Sequence, residues 1–140
     1  MNDPHDLQRF VDAQAPVFTQ VCAELRAGGK RSHWMWFIFP QIRGLAHSET
    51  ARRFAISSRE EAEAYWKHAI LGPRLRECTR LVNLIEVRSI GQIFGYPDDL
   101  KFRSSMTLFA EVASDNPVFR EALQKYFGEK PDDHLTLERL

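Results

Sequence analysis

The chain has 140 residues, of which 44% are hydrophobic and 27% charged, and its formal net charge at pH 7 is zero. This length suits one globular domain, which we place at residues 1–140, and the neutral balance argues against a general nucleic-acid or membrane binder. The sequence has no apolar run close to the roughly 18 residues of a membrane span, and its acidic N-terminus has no apolar signal segment. We therefore expect a cytoplasmic protein.

Helix signals dominate the chain. Apolar residues recur at spacings of three and four, as at Leu75, Cys78, Val82 and Ile85, and no Asn-Gly or Asp-Gly hairpin turn occurs. We predict an all-α fold, a compact single-domain bundle of eight to ten short helices around a central aromatic helix. The boundary signals in chain order are Pro16, Gly28-Gly29, Ser48, Ser58 with Glu61, Gly72-Pro73, Ser89 with Gln92, Gly95, Pro97, Asn116-Pro117 and Gly128.

The most apolar segment is KRSHWMWFIFPQIRG, residues 30–44, with six consecutive large apolar residues. Such a run fits a buried strand or a buried helix, but a single strand in a helical domain would leave its backbone groups unpaired. We predict a buried central helix from about Ser32 to Ile38. Pro40 ends it, because proline disfavours helical geometry at the preceding Phe39.

Cationic and polar residues frame this aromatic run, and burial of the run does not explain them. Between residues 30 and 53 there are five cations and one carboxylate, Glu49, a pattern that suits a discrete anionic ligand. Buried indole N–H groups need acceptors, and a guanidinium can hold a phosphate or carboxylate through two hydrogen bonds. The candidate ligand-binding residues here are His33, Trp34, Trp36, Gln41, Arg43, Arg52 and Arg53.

A second polar cluster lies in the motif YPDDLKFRSSMTLF. Lys101, Ser104 and Ser105 are predicted to share one side of a helix, and they complete the candidate binding residues. Two serines in a helix interior are mediocre helix formers, so they either hydrogen-bond into a polar pocket or allow tight helix–helix contact. Asp98 and Asp99 complement the helix dipole and are the nearest candidates for general acid–base chemistry.

Several common sites are missing from the sequence. It has no GxGxxG or GxxxxGK[ST] phosphate loop, no GxSxG nucleophile elbow, and no HExxH or paired Cys/His set for zinc. Cys22 and Cys78 form no CxxC motif, so we expect reduced, buried thiols. The sequence therefore predicts no metal, no cofactor and no identifiable catalytic residue.

Three blocks carry a family resemblance: KRSHWMWFIFPQIRGL, ARRFAISSREEAEAYWKHAILGPRLREC and IFGYPDDLKFRSSMTLF. In this order, and over nearly the whole chain, they are similar to the bacterial family of domains of unknown function numbered 1810. The resemblance implies a compact, mostly α-helical domain and brings no established activity. The label calpastatin, also used for this family, implies a calpain inhibitor, but those inhibitors are disordered polar repeats unlike this sequence.

A weaker analogy concerns the ligand. In size, helical class and the combination of tryptophan with cationic groups, the chain is similar to NADAR-type domains, which remove ADP-ribose from guanine. The analogy implies a ligand such as an ADP-ribose derivative.

The sequence leaves three interpretations open. In the first, the domain binds, and in one version processes, an anionic phosphorylated or nucleotide-like small molecule. In the second, it is a protein-interaction module whose cationic face meets an acidic partner without catalysis, which exposure of Tyr65 or Trp66 would favour. In the third, the polar residues only satisfy helix ends.

The first interpretation gives each candidate binding residue a role. It assigns stacking to Trp34 or Trp36, anion clamping to Arg43 with Arg52 or Arg53, orientation to His33 and Gln41, and a polar floor to Lys101, Ser104 and Ser105.

Overall fold

The computed structural model describes residues 3–128 and 132–140. Within these ranges the chain forms ten helices and no strand, which confirms the all-α prediction. The helices are α1 (Gln8–Gln14), α2 (Phe18–Arg26), α3 (Met35–Ile38), α4 (Glu49–Arg53), α5 (Arg59–Lys67), α6 (Leu71–Leu84), α7 (Ile90–Phe94), α8 (Asp98–Val112), α9 (Val118–Phe127) and α10 (His134–Glu138).

Three predicted serine N-caps are confirmed, but the capping box expected at Ser58 is incomplete, because the Glu61 carboxylate accepts from the Ser57 N–H. The hydroxyl oxygens of Ser48 and Ser58 each accept a hydrogen bond from a backbone N–H three residues later, both at 3.1 Å. Ser89 and Gln92 form the complete reciprocal box, in which each side chain accepts from the other residue's backbone N–H. These short polar patterns start helices because they satisfy amide groups that have no intrahelical acceptor.

Helix α8 is the centre of the core and packs against α5, α7, α9 and α10. Its Phe102, Met106 and Phe109 are fully buried. The Phe102 ring lies 5.0 Å from the Phe39 ring and 4.9 Å from the Phe94 ring, measured between centroids. The aromatic run after α2 therefore joins one continuous hydrophobic cluster with α8.

The aromatic run is helical over a shorter stretch than predicted. Helix α3 begins at Met35 and not near Ser32, because the backbone N–H groups of Arg31 and Ser32 donate to the buried carboxylate of Glu24. Trp34, Met35, Ile38 and Phe39 are buried, whereas Trp36 and Phe37 are half-buried. Two of the six apolar side chains thus remain partly accessible.

The segment after α3, residues 40–46, is called here the site loop. It is held by a parallel bridge between Ile42 and Ile56, with the Arg43 N–H donating to the Ile56 carbonyl at 2.8 Å and the Ile56 N–H to the Gln41 carbonyl at 2.8 Å. From the other side Arg9 donates to the Ala55 carbonyl at 3.0 Å and to the Glu61 carboxylate at 2.8 Å. These hydrogen bonds fix the backbone of the site loop against residues 55 and 56.

No helix in the described part of the chain has the length and apolar character needed to cross a bilayer. Cys22 on α2 and Cys78 on α6 are buried and carry no disulfide, and these two helices pack together. The prediction that both thiols are buried is confirmed.

Candidate functional site

A groove of about 490 Å³ lies between α8, α10 and the site loop. Its size falls within the range of roughly 300–1,000 Å³ found for small-molecule sites. The exposed wall area is largely apolar, although five of the ten lining side chains are polar or charged. The lining residues are Gln41, Leu45, Ala46, Pro97, Leu100, Lys101, Arg103, Ser104, Asp133 and Leu135.

A narrow slot adjoins the groove and shares Gln41, Ala46 and Lys101 with it. The slot measures about 20 Å³, which is room for about one water molecule. Trp36 and Phe54 form part of its apolar wall. The shared residues place the half-buried Trp36 next to the polar end of the groove.

Lys101 is the cation at this junction. Its ammonium lies 5.7 Å from the centre of the Trp36 ring and 3.7 Å from a carboxylate oxygen of Asp98. The other carboxylate oxygen of Asp98 is 2.9 Å from the ammonium of Lys30, which in turn lies 5.5 Å from the Trp34 ring centre. One carboxylate therefore serves two lysines, so it only partly neutralises the charge at the groove.

Asp133 fixes the opposite wall of the groove. One of its carboxylate oxygens accepts hydrogen bonds from the Ser104 hydroxyl at 3.1 Å, the Thr136 hydroxyl at 2.6 Å and the Thr136 N–H at 3.2 Å. The Asp133 N–H donates to the Thr107 hydroxyl at 3.0 Å. Asp133 thus caps the N-terminus of α10, and its hydrogen bonds to Ser104 and Thr107 connect α10 to α8.

A separate hollow of about 230 Å³ is lined by Arg43, Gly44 and Arg139. Gly44 has φ +91°, and a Cβ at this position would lie 2.8 Å from the Nε atom of Arg139. The backbone conformation therefore favours glycine here, and a larger residue would also displace the flexible Arg139 side chain. Gly44 also lines the slot, so the hollow and the slot adjoin at the site loop.

Of the ten predicted binding residues, Gln41, Lys101 and Ser104 line the groove, and Trp36 lines the slot beside them. Arg43 lies in the neighbouring hollow. The structure thus gathers five of the ten around the site loop and the start of α8.

Trp34 and Ser105 lie in the core, with exposed fractions of 1% and 0%. Ser105 is three residues after Phe102 and four after Lys101, so its spacing fits either side of the helix, and its complete burial places it with Phe102 and Phe109. The Ser105 hydroxyl has no hydrogen-bond partner among the described residues. This burial favours tight helix–helix contact, one of the two roles left open for Ser105.

The Trp34 indole N–H donates to Glu24 at 3.0 Å. The Glu24 carboxylate also accepts from Gln20, from the N–H groups of Arg31 and Ser32, and from the Ser32 hydroxyl. Burial alone would raise the pKa of Glu24, but these hydrogen bonds outweigh it and lower the pKa to about 2. The carboxylate is therefore ionised inside the fold, which explains one polar flank of the aromatic run.

Three predicted binding residues are exposed on the surface: His33, Arg52 and Arg53. They do not contribute to the slot or the groove as the described residues line them. The Arg53 guanidinium lies 5.1 Å from the centre of the Phe54 ring, and the Arg53 carbonyl accepts from Arg9 at 2.8 Å. The structure does not bring these three residues to the groove.

Sequence reasoning missed the contribution of the C-terminal helix to the site. Leu135 and Asp133 form one wall of the groove and Arg139 lines the neighbouring hollow. The Asp133-x-x-Thr136 pattern is an N-cap signal that could have placed a helix here. No local signal in the sequence says that this helix packs on α8.

Together these features define a small all-helical domain with a ligand-sized groove along the first half of its longest helix. The chain belongs to the family described as "Protein of unknown function (DUF1810)", whose model matches residues 4–140, which confirms the resemblance. It is also similar to the crystal structure of the conserved hypothetical protein Rv1873 from Mycobacterium tuberculosis, with 59% identity, a TM-score of 0.96, and coverage of 99% of this chain and 98% of that one. No match to a curated protein was found.

Proposed function

We propose that the groove between α8, α10 and the site loop binds a small molecule that joins an anionic group to an apolar or aromatic body. A phosphorylated, nucleotide-like molecule, such as an ADP-ribose derivative, is the ligand class we put first. The observation that carries the proposal is the direct junction of a ligand-sized, mainly apolar groove with Lys101 and the edge of Trp36.

The charges around the groove support an anionic ligand. Lys101 and Arg103 line it, and Asp133 is the acidic lining residue. The Asp133 oxygen described above is already engaged by three hydrogen-bond donors, which stabilise its negative charge locally. Asp98 is shared by Lys101 and Lys30, so it neutralises the Lys101 charge only in part. The Lys101 ammonium can therefore still attract a phosphate or carboxylate of a ligand.

The apolar walls support a ligand body of low polarity. Leu45, Pro97, Leu100 and Leu135 surround the groove, and Leu100 and Leu135 are 49% and 54% exposed. Covering exposed leucine side chains with a ring or a chain is favourable, at about 25 cal/mol for each Å² of apolar surface buried. The Gln41 amide at the junction can donate and accept, which suits the orientation of a polar ligand atom.

The proposed activity is binding without an assigned reaction. The two acid–base candidates are engaged elsewhere, since Asp98 pairs with two lysines and Asp99 accepts a hydrogen bond from the Leu100 N–H at 2.9 Å. The Ser104 hydroxyl does donate to Asp133 in the groove, but the same carboxylate oxygen also accepts two hydrogen bonds from Thr136 as the cap of α10, so we assign it a structural role.

A thermal-shift screen of the full chain tests the proposal. The panel is NAD, ADP-ribose, nucleoside phosphates and sugar phosphates. A ligand present at 100 times its Kd adds about 2.7 kcal/mol to the free energy of unfolding, which raises the Tm by several degrees for a chain of this size. We expect at least one nucleotide-like compound to give such a shift.

Two variants of α10 locate the binding. Leu135→Glu places a carboxylate on the groove wall and should abolish the shift, whereas Leu137→Glu changes the same helix outside the groove lining and should preserve it. Lys101→Gln should weaken binding, and Lys67→Gln, at an exposed cation on α5, serves as the matched control. Equal loss in Leu135→Glu and Leu137→Glu would contradict the assignment to the groove.

The protein-interaction alternative has one supporting observation. Tyr96, at 82% exposed, stands directly before Pro97 at the groove, next to the exposed Leu100. Against it, Tyr65 is buried and donates through its hydroxyl toward the Phe37 carbonyl at 3.5 Å, and Trp66 packs on Phe119. A flat thermal-shift response across the whole panel would favour this alternative.

A further inference from the structure

A second cationic hollow lies away from the groove, at the end of α2 and the start of α7. It measures about 200 Å³, and Ala27, Gly29, Lys30, Arg31, Arg88 and Gln92 line it. None of these residues lines the groove or the slot. The lining is almost entirely polar, in contrast to the groove, and the described lining residues include three cations and no carboxylate.

The side chain of Arg88 is held in place over the glycine turn. Its Nη1 atom donates to the Gly28 carbonyl at 2.8 Å. A Cβ on Gly29 would lie 3.2 Å from the same Nη1 atom, which is tighter than an ordinary contact, so the glycine lets the guanidinium lie against the backbone. The remaining nitrogens of Arg88 make no hydrogen bond to any described residue, which leaves them available to a ligand.

The other polar groups of the hollow complete a set of donors. Arg31 is exposed and forms no ion pair with a described residue. Lys30, whose side chain is only 10% exposed, is fixed by Asp98. Gln92 accepts from the Ser89 N–H through its oxygen, so its amide nitrogen can donate outward.

Lys30 is paired with Asp98, so Arg31 and Arg88 are the two cations of the hollow whose mutual repulsion a bound anion removes. Two guanidinium groups suit a phosphate group, because each can donate two parallel hydrogen bonds to its oxygens. The volume is below that of a pocket for a drug-sized molecule, and the lining offers little to an apolar body. From this geometry we infer that the hollow formed by Gly29, Lys30, Arg31 and Arg88 is a phosphate or diphosphate site separate from the groove.

The test is an NMR titration of the full chain with inorganic pyrophosphate at constant ionic strength, balanced with chloride. We expect saturable shifts confined to the Gly28 and Gly29 amides and to the Arg31 and Arg88 side-chain signals. Arg31→Gln and Arg88→Gln should each weaken the affinity by about tenfold or more, as the loss of a charge-assisted contact predicts. Arg76→Gln, at an exposed cation elsewhere on α6, should bind like the unchanged protein.

Two further variants distinguish a loss of binding at this hollow from unfolding and from an effect on the groove. Arg88→Lys retains the charge but loses the planar fork, so it keeps the protein folded and should still weaken binding. Lys101→Gln should leave the pyrophosphate affinity within about twofold, because Lys101 does not line this hollow. Shifts that rise linearly without saturation, or an unchanged affinity in both Arg31→Gln and Arg88→Gln, would overturn the inference.

A second titration, with a nucleoside monophosphate, distinguishes the two sites. If the nucleoside body strengthens binding at Arg31 and Arg88 and Lys101→Gln removes that gain, one ligand spans both places and the separate site is wrong. If the body adds nothing there, the separate site is supported, whatever the thermal-shift panel shows for the groove.

Discussion

Glu24 and Asp98 are two carboxylates whose contacts reach the same aromatic run, and their surroundings differ. Glu24 is 4% exposed and accepts five hydrogen bonds. The Asp98 side chain is 19% exposed and contacts two ammonium groups, at 2.9 and 3.7 Å. The first carboxylate is satisfied within the fold, whereas the second is divided between two cations that both line cavities.

The comparison explains why a small protein places its most apolar segment between polar groups. Buried polar groups must be hydrogen-bonded, and Glu24 supplies the acceptor that Trp34 and the turn before α3 need. The flank before the run therefore has two roles, since its backbone amides bind Glu24 and its Lys30 and Arg31 side chains line the second proposed site. The flank after the run contributes Gln41 to the groove.

The largest expected effect distinguishes the two tryptophans. Trp34→Ala should lower the free energy of unfolding by about 3–5 kcal/mol, as for other buried aromatic residues, because Trp34 is 1% exposed and bonded to Glu24. Trp36→Ala should cost only about 1–2 kcal/mol, since Trp36 is half-buried at the slot. Urea denaturation of both variants measures the difference. Equal losses would mean that the two ends of the run do not differ as described.

The next effect concerns Glu24 itself. Glu24→Gln keeps the shape of the side chain but removes its charge, so we expect a loss of about 2–3 kcal/mol at pH 7. Because folding lowers the pKa of Glu24 to about 2 from its usual value of 4.5, the charge stabilises the fold above about pH 4.5, and this contribution is lost as the pH falls toward 2. The stability difference between the two proteins should therefore be constant near neutral pH and shrink in acid.

Urea midpoints of the unchanged protein and of Glu24→Gln, compared from pH 7 down to pH 3, measure this dependence. Taking the difference between the two proteins cancels the titration of the other carboxylates. A difference that stays constant down to pH 3 would show that the hydrogen bonds to Glu24 do not depend on its charge.

The helices and their caps could be predicted because their causes are local. Ser89 and Gln92 satisfy each other within four residues, and Phe102, Met106 and Phe109 repeat at helical spacing, so neither needs knowledge of the rest of the chain. The same spacing leaves Ser105 ambiguous, since it is three residues after Phe102 and four after Lys101. Its burial depends on the helices that pack on α8, so the spacing alone could not predict it.

The groove and the start of α3 could not be predicted in this way, since both depend on distant contacts. The groove wall at Leu135 exists because Asp133 binds Ser104, 29 residues earlier. The short α3 exists because Glu24 accepts from Trp34 and from two backbone amides before it. The sequence indicates that these groups are polar or apolar, but it does not indicate which partners they find.

The smallest expected effect tests Asp98 as a shared counter-ion. Asp98→Asn removes the negative charge between Lys30 and Lys101, so pyrophosphate should bind about threefold more tightly, as expected for one charge acting through water at several ångströms. Asp99→Asn is the matched control, because it lies in the same first turn of α8 and loses the same helix-dipole interaction without touching either lysine. Isothermal titration of pyrophosphate into both variants measures the change. A gain in pyrophosphate affinity confined to Asp98→Asn means that the Asp98 carboxylate limits the positive charge available to the ligand. Weaker binding in that variant would mean instead that Asp98 positions the lysines, a structural role like that of Glu24.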